Sequence, residues 1–118
     1  MALDARQGVL AVAFRSPSSL VLLDTKTGTA TARLPACGDA DDIFFDAKRE
    51  RIYVSCGSGE IAVFQRDGGN YRRLPRVATE SGARTSLFVA ELDRLFLAVR
   101  AGFMGSGASI QIYRPTPC

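Results

Sequence analysis

Short segments of alternating apolar and polar residues recur along the chain at a nearly fixed interval. Three of them occupy residues 9–14, 51–56 and 94–99, so that the second begins 42 residues after the first and the third 43 residues after the second. Alternation with a period of two predicts half-buried β-strands, and no segment has the 3.6-residue apolar period of a long helix. A repeat of about 40–45 residues made of four short strands is typical of β-propeller blades. The pattern therefore predicts an all-β repeat protein.

Turn residues divide the repeats into antiparallel blades. We predict a single partial propeller over residues 1–118, with blades at 1–35, 36–78 and 79–118. Three complete blades of four strands need twelve strands, but only eleven are predicted, because Pro115 and Pro117 cannot donate to a strand ladder. The predicted strands are residues 1–3, 8–14, 19–24 and 29–34, then 40–45, 51–56, 60–65 and 71–76, and finally 86–90, 94–100 and 108–114.

Two motifs in these repeats resemble a known family. Residues 24–28 read Asp-Thr-Lys-Thr-Gly after an apolar strand, and residues 51–55 read Arg-Ile-Tyr-Val-Ser. They are similar to the YVTN-type β-propeller repeat, whose blades carry a "v-x-v-i-D-t-x-t-g" strand and turn and an "r-v-Y-V-t-n" strand. Ser55 and Cys56 stand where that family has Thr and Asn. The resemblance covers nearly the whole chain. It implies a bacterial or archaeal, frequently periplasmic or secreted, seven-bladed parent that is used for binding.

The resemblance leaves two classes of function open, because some relatives are lactonase-like enzymes or quinoprotein subunits. The chain contains no His and no Trp, so the active-site His and the Trp-derived cofactor of those relatives have no counterpart. The absence of His also removes Ser–His and Cys–His nucleophile pairs and the commonest metal ligand. We therefore predict a non-catalytic binding or structural module without a cofactor. The alternative is a fragment of a lactonase-like or quinoprotein-like propeller enzyme whose catalytic residues lie in other blades.

Composition and charge exclude several classes of partner. Apolar residues make up 47% of the chain, and the net charge of +3 is spread too evenly to mark a nucleic-acid surface. No apolar run approaches the length of a membrane span, about 18 residues, and no signal peptide is expected because the N-terminus begins within the repeat. Residues 48–51 (Lys-Arg-Glu-Arg) are predicted to form a solvated hairpin turn. Residues 102–107 are predicted to form a mobile hairpin loop rather than a phosphate-binding loop.

Six residues form the candidate site, at the places where one predicted blade leads into the next. Three nearby carboxylates could hold Ca²⁺ through oxygen ligands, although the spacing is not that of an EF-hand and no metal site is predicted. An arginine beside hydroxyl groups suits an anion or a carboxylate. The alternative is that the acidic residues cap turns and that arginine–aspartate bridges fix the rotation of successive blades. The predicted channel-rim residues are Asp39, Asp41, Asp42, Arg84, Thr85 and Ser86.

Two of the three cysteines are predicted to approach each other. A register with Phe44 opposite Ile52 places Cys56 beside Ala40, three residues from Cys37, so a disulfide needs the entry loop to bend back. Such a bridge would add about 3 kcal/mol by loop-closure entropy and would fit an oxidising compartment. The alternative is two buried thiols. The third cysteine, at position 118, is predicted to be a free exposed thiol.

The number of blades predicts the assembly. Propellers close with about four to eight blades, so three blades form an open wedge with an apolar face at each end. Two wedges joined head to tail would give six blades and three would give nine. The predicted partner is therefore a second or third copy of the chain, with no membrane and no specific nucleic acid. Alternatively, neighbouring blades of a longer chain cover the two faces.

Overall fold

The chain folds into β-strands joined by short turns. A computed structural model describes residues 1–102 and 107–117. Over these residues it has no α-helix and one short 3₁₀ turn, Ala90–Leu92. The strands are β1 (Ala2–Asp4), β2 (Val9–Arg15), β3 (Ser18–Asp24), β4 (Ala30–Pro35), β5 (Ala40–Asp46), β6 (Arg51–Cys56), β7 (Glu60–Asp67), β8 (Asn70–Arg73), β9 (Val77–Ala78), β10 (Ser86–Val89), β11 (Arg94–Val99) and β12 (Ser109–Tyr113). The all-β prediction is confirmed.

These strands form three antiparallel sheets in which, with the exception of β9, consecutive strands are neighbours. Sheet 1 has the order β1-β2-β3-β4, sheet 2 has the order β5-β6-β7-β8 with β9 also pairing with β7, and sheet 3 has the order β10-β11-β12. Short turns connect the strands because each sheet is a meander. The interval in the sequence thus corresponds to one sheet per repeat.

The predicted number of eleven strands is wrong by one. The predicted strand at 71–76 ends early, since β8 ends at Arg73, and an additional strand, β9, follows the predicted range. The amide of Leu74 still donates to the carbonyl of Val63 at 2.9 Å. Pro75 then has no N–H to continue the ladder, so the chain leaves β7 and returns to it two residues later. Sheet 2 consequently has five strands instead of four.

In each sheet, the turn of the first hairpin ends in a residue with a left-handed backbone conformation. Gly8 has a φ of 67°, Glu50 has a φ of 55° and Asp93 has a φ of 52°. They follow one another at 42 and 43 residues, the same interval as the strands. Only glycine adopts this conformation without a steric penalty, so the two acidic residues hold it against their own preference. The three repeats therefore share this backbone geometry as well as the apolar pattern.

Two apolar cores lie between the three sheets. The first contains Leu20 and Leu22 of sheet 1 with Ile52, Val54 and Phe64 of sheet 2. The second core joins the opposite face of sheet 2 to sheet 3, and its buried residues are Tyr53, Ile61, Val63, Ala83, Leu95 and Leu97. Sheet 2 is thus buried on both faces, whereas sheets 1 and 3 are each covered by another sheet on one face.

The register of the β5–β6 hairpin differs from the prediction by one residue over most of its length. Ile52 pairs with Phe45 rather than with Phe44, yet Cys56 pairs with Ala40 as predicted. A β-bulge in β5 beside Ala40 absorbs the extra residue, because two residues of the bulged strand there oppose one of its partner. Regular alternation carries no sign of such a bulge, so the sequence predicts the end of the hairpin correctly and its middle wrongly.

Cys37 and Cys56 form a disulfide in the structure, with their Cα atoms 5.9 Å apart. Both residues are buried in the first core. The loop between β4 and β5 turns back towards the end of β6, and the carbonyl of Gly38 accepts the amide of Ser58 there. The bridge therefore ties the entry of sheet 2 to its second strand.

Two predictions lie outside the described residues. They concern the interior of the predicted loop at 102–107, of which residues 103–106 are not described, and the free thiol at position 118. Over the described ranges, no helix has the length and hydropathy needed to cross a bilayer.

We expect the disulfide to persist in the purified protein. Peptide mapping without reductant should find Cys37 joined to Cys56. The double variant Cys37→Ala/Cys56→Ala should lose about 3 kcal/mol of unfolding free energy, because the unfolded chain regains the entropy of the closed loop. Cys118→Ser is the matched control and should leave stability unchanged. Alkylation of all three thiols in native, unreduced protein would contradict the prediction.

Candidate functional site

Charged residues from all three repeats meet where β2 ends and β5 begins. We call Arg15, Asp39, Asp41, Asp42 and Arg84 the entry cluster. The Arg15 guanidinium lies 3.3 Å from the Asp41 carboxylate and 3.8 Å from that of Asp39. Nη1 of Arg84 lies 2.9 Å from Oδ2 of Asp39. Asp39 thus lies between a cation from the repeat before it and one from the repeat after it.

The backbone around Asp39 holds the cluster in place. Asp39 has a φ of 57°, and its carbonyl accepts the amide of Gly57 at 2.8 Å. A Cβ atom at position 57 would collide with the Asp39 carboxylate, so a larger residue there would displace the Asp39 side chain. Aspartate tolerates the left-handed region better than most residues because its short side chain can bond locally. The close approach of these two segments therefore directs the carboxylate towards both arginines.

Hydrogen bonds of Asp42, Ser55 and Ser86 link sheet 2 to sheet 3 at the candidate site. Oδ2 of Asp42 accepts the amide of Ser86 at 2.7 Å. The Ser55 hydroxyl donates to the carbonyl of Arg84 at 2.7 Å and lies 2.8 Å from the Ser86 hydroxyl. Ser55 is fully buried, although sequence reasoning did not select it. Its position on the face of β6 that also carries Tyr53 was the available signal, because alternate residues of a strand share a face.

Thr85 contributes to the site differently from its neighbours. It is exposed, and its carbonyl accepts the amide of Ala98 at 2.9 Å. Together with Arg84 and Arg100 it lines a surface cavity of about 490 Å³. The structure therefore brings five of the six predicted residues into contacts between sheets and places the sixth beside them.

The geometry of the entry cluster favours bridging over ligand binding. Each of its three carboxylates already accepts from an arginine or from a backbone amide. Over the described residues, no group of three His, Cys, Asp or Glu side chains is arranged to hold a metal ion. The Arg84 and Asp39 side chains are about 40% exposed, and such pairs contribute roughly 0–1 kcal/mol each. The cluster therefore orients the sheets more than it stabilises them.

A second cluster lies at the opposite end of sheet 2, and sequence reasoning missed it. We call Asp46, Lys48, Arg49 and Asp93 the turn cluster. Arg49 donates to both carboxylate oxygens of Asp93 at 3.0 Å and to Oδ2 of Asp46 at 3.1 Å. Its side chain is only 12% exposed, so the prediction of a solvated turn at residues 48–51 is wrong for Arg49. The contact with sheet 3 removes it from water, and a local turn pattern cannot reveal that contact.

Hydrogen bonds to cations control the acidity of Asp93. The guanidinium of Arg49 and the ammonium of Lys48 lower the pKa of Asp93 well below its ordinary value, because both donate to the charged carboxylate. The same contact with Asp93 raises the pKa of Arg49 further above its ordinary value. The cluster is thus an ion pair between sheets 2 and 3 over the whole physiological pH range.

Tyr53 connects the turn cluster to the second core. Its hydroxyl donates to Oδ2 of Asp46 at 2.6 Å, and its ring meets Phe88 edge-on at 5.3 Å between centroids. Burial raises the pKa of Tyr53 above its ordinary value, and the bond to Asp46 raises it further. The phenol therefore remains protonated and acts as a donor rather than as a base.

Comparisons with known proteins leave the family open. Neither a scan against protein-family profiles nor a search of curated proteins finds a match to this chain. The likeness to YVTN-type repeats therefore rests on the motifs at residues 24–28 and 51–55 and on the interval between repeats.

We predict that Asp93 makes the protein more sensitive to acid. Because the folded state lowers its pKa, Asp93 contributes stability in full above the ordinary aspartate pKa of about 3.9. Below that pH the unfolded chain takes up a proton first, so the contribution is lost as the pH falls. Asp93→Asn should therefore unfold more easily than the wild type in urea at pH 7, with a smaller difference at about pH 2.5.

Asp67→Asn is the matched control, since the pair that Asp67 forms with Arg72 is exposed. It should lower the free energy of unfolding little at either pH. A constant difference between Asp93→Asn and the wild type at pH 7 and at about pH 2.5 would show that ionisation of Asp93 does not matter.

Proposed function

We propose that this chain is a non-catalytic β-propeller module that assembles with a second copy of itself into a closed ring of six blades. In this proposal each sheet is a blade, and the two end faces of the three-sheet stack are the binding surfaces. The strongest support is that these end faces repeat, position by position, the pair of faces that are buried against each other between sheets 2 and 3.

The exposed apolar side chains are concentrated in the two end sheets. Among the described residues, the exposed large apolar side chains within strands belong to sheets 1 and 3 and none belongs to sheet 2. Each is between 46% and 60% exposed, and they are Leu3, Phe14, Leu87, Ile110 and Ile112. An unpartnered apolar surface on a protein marks a place where another molecule binds.

Strand register assigns these side chains to the outer faces. In sheet 1, Leu3 pairs with Leu10, and both lie on the face opposite to Ala11, which is buried against sheet 2. In sheet 3, Ile112 pairs with Phe96, and both lie on the face opposite to Leu95, which is buried in the second core. Paired residues of neighbouring strands share a face and adjacent residues do not. Each end sheet therefore has one face in a core and exposed apolar side chains on the opposite face.

The exposed face of sheet 3 is the counterpart of the sheet 2 face that is buried against sheet 3. Phe96 follows Tyr53 by 43 residues, and each is paired with an aliphatic residue of the next strand. Ile112 is the partner of Phe96, just as Val63 is the partner of Tyr53. The end face of sheet 3 thus carries a pair of an aromatic and an aliphatic residue, as does the face of sheet 2 that packs against sheet 3.

The exposed face of sheet 1 corresponds in the same way to the face of sheet 3 that is buried against sheet 2. Leu10 and Val12 precede Ile52 and Val54 by 42 residues, and these precede Leu95 and Leu97 by 43. A sheet 1 face placed on a sheet 3 face would therefore reproduce the second core. This contact joins two different surfaces, and such head-to-tail contacts form rings when their rotation closes.

The expected ring contains two copies. Two chains would give six sheets, which lies within the usual range of four to eight blades, whereas three chains would give nine. Burial of apolar surface supplies about 25 cal/mol per Å², and stable interfaces bury about 800 Å² per partner. Two such contacts in one closed ring strengthen each other, because formation of the first makes the second intramolecular.

We predict that light scattering after size exclusion will give a mass near twice 12.7 kDa. Leu3→Arg and Ile112→Arg should each give monomers, because each places a charge in one end face and each end face is needed twice in the ring. An equimolar mixture of the two variants should form dimers again, because one pair of wild-type faces remains available. Head-to-tail contact is the only arrangement that rescues in this way.

Leu92→Arg is the matched control. Leu92 is 58% exposed but lies in the 3₁₀ turn, outside both end faces, so this variant should remain dimeric. A wild-type monomer at micromolar concentration would refute the ring. A Leu3→Arg variant that still forms dimers would instead indicate that sheet 3 contacts its own copy.

A further inference from the structure

A cavity between sheets 2 and 3 is separate from both end faces and from the entry cluster. Its volume is about 440 Å³, within the range of ligand pockets. Exposed Arg114 and Thr116 also line it, so it reaches the protein surface at the segment that follows β12. The walls are mostly apolar and include Tyr53, Ile61, Val63, Val77, Leu95 and Tyr113.

A buried arginine lies at one side of this cavity. Arg51, the first residue of β6, is only 5% exposed. Its Nε donates to Oε1 of Gln65 at 2.8 Å, its Nη1 to the carbonyl of Thr116 at 2.7 Å, and its Nη2 to the carbonyl of Pro117 at 3.4 Å. All three acceptors are neutral. The prediction of a solvated turn at residues 48–51 is therefore wrong for Arg51 as well.

Nearby acidic residues do not neutralise Arg51. Within residues 1–102 and 107–117, no ion pair includes it. Its cross-strand partner Asp46 instead accepts from Arg49 and from the Tyr53 hydroxyl. A buried charge is costly unless an opposite charge accompanies it. Among the residues that the structure describes, no carboxylate thus lies within ion-pair distance of the Arg51 guanidinium, which the fold removes from water.

We infer that the cavity binds a small monocarboxylate whose body is aromatic or branched aliphatic. The two carboxylate oxygens would accept from Nη1 and Nη2 of Arg51, the parallel arrangement that a guanidinium favours. The apolar body would lie between the Tyr53 and Tyr113 rings and the aliphatic side chains of β7 and β11. A phosphate ester fits less well, because its additional charged oxygens would face apolar walls without donors.

Binding requires an exchange of acceptors at Arg51. In the structure, the carbonyls of Thr116 and Pro117 occupy the two donors that the carboxylate needs. Both residues are exposed and follow the last strand, so this segment can release the guanidinium without breaking a β-ladder. An anionic acceptor replaces two neutral ones and adds the Coulomb attraction between opposite charges in a site that is largely removed from water.

The test uses 3-phenylpropionate as the probe and 3-phenylpropionamide as its uncharged control, titrated into the full-length chain labelled with ¹⁵N. The acid should bind saturably and about tenfold more tightly than the amide, because only the acid forms a charged pair. The amide resonances of Val63, Leu95 and Thr116 should shift with a single binding curve. A lack of saturable binding, or shifts confined to the end faces, would refute the site.

Substitutions separate the anchor from the cavity. Arg51→Gln should abolish the preference for the acid, and Arg51→Lys should keep part of it because the charge remains without the planar fork. Val77→Trp should weaken both ligands by filling the cavity with a side chain. Arg72→Gln, an exposed arginine on β8, is the matched control and should bind as the wild type does.

The wild-type comparison of acid with amide decides the question even if Arg51→Gln does not fold. Equal affinity for the two ligands would show that Arg51 is not the anchor. The mass of the assembly is a separate readout. Ligand binding by a monomer would therefore support this site and refute the ring. A dimer that does not bind the ligand would support the ring and refute this site.

Discussion

The burial of both faces of sheet 2 is the constraint on which the rest of the structure depends. All six residues of β6 are buried, and consecutive side chains enter different cores. Ile52 and Val54 pack with sheet 1, whereas Tyr53 packs with sheet 3. A shift of one residue in register would exchange the two sets, so the pairing of β6 with its neighbours is strongly specified. The inner faces of sheet 1 and sheet 3 are both covered by sheet 2.

Apolar packing does not fix the angle between neighbouring sheets. Polar contacts at the two ends of the sheet 2 strands restrict that angle. At one end, the entry cluster joins all three repeats through Asp39 and its two arginines. At the other end, Arg49 holds Asp93 with two parallel hydrogen bonds. Pairs of this kind add little free energy where they are exposed, but they penalise a rotated arrangement that separates them. The clusters therefore determine how one sheet turns relative to the next.

Features that depend on local pattern are predictable from this sequence, whereas features that depend on contact between sheets are not. Alternation and interval were sufficient for the strands and their order, because each hairpin is formed by neighbouring residues. The bulge beside Ala40 and the break at Pro75 alter pairing without altering the apolar pattern. Arg49 and Arg51 have the sequence signature of a solvated turn, and only packing against sheet 3 buries them. The aspartates of the entry cluster and Arg84 were predictable because repeat boundaries mark where sheets meet, whereas Arg15 was not selected because it ends a strand of the preceding repeat.

The equivalence of Gly8, Glu50 and Asp93 has a consequence for how such a chain can lengthen. The unit at residues 36–78 forms an apolar core on each of its faces. A second copy inserted after it would therefore present suitable apolar faces to the units on both sides. At the new junction, Glu50 of the inserted unit would occupy the place of Asp93, so Arg49 would again face a carboxylate. In-frame duplication of the middle unit thus extends the stack without requiring a new interface to arise, and growth of the gene can precede any refinement of its sequence.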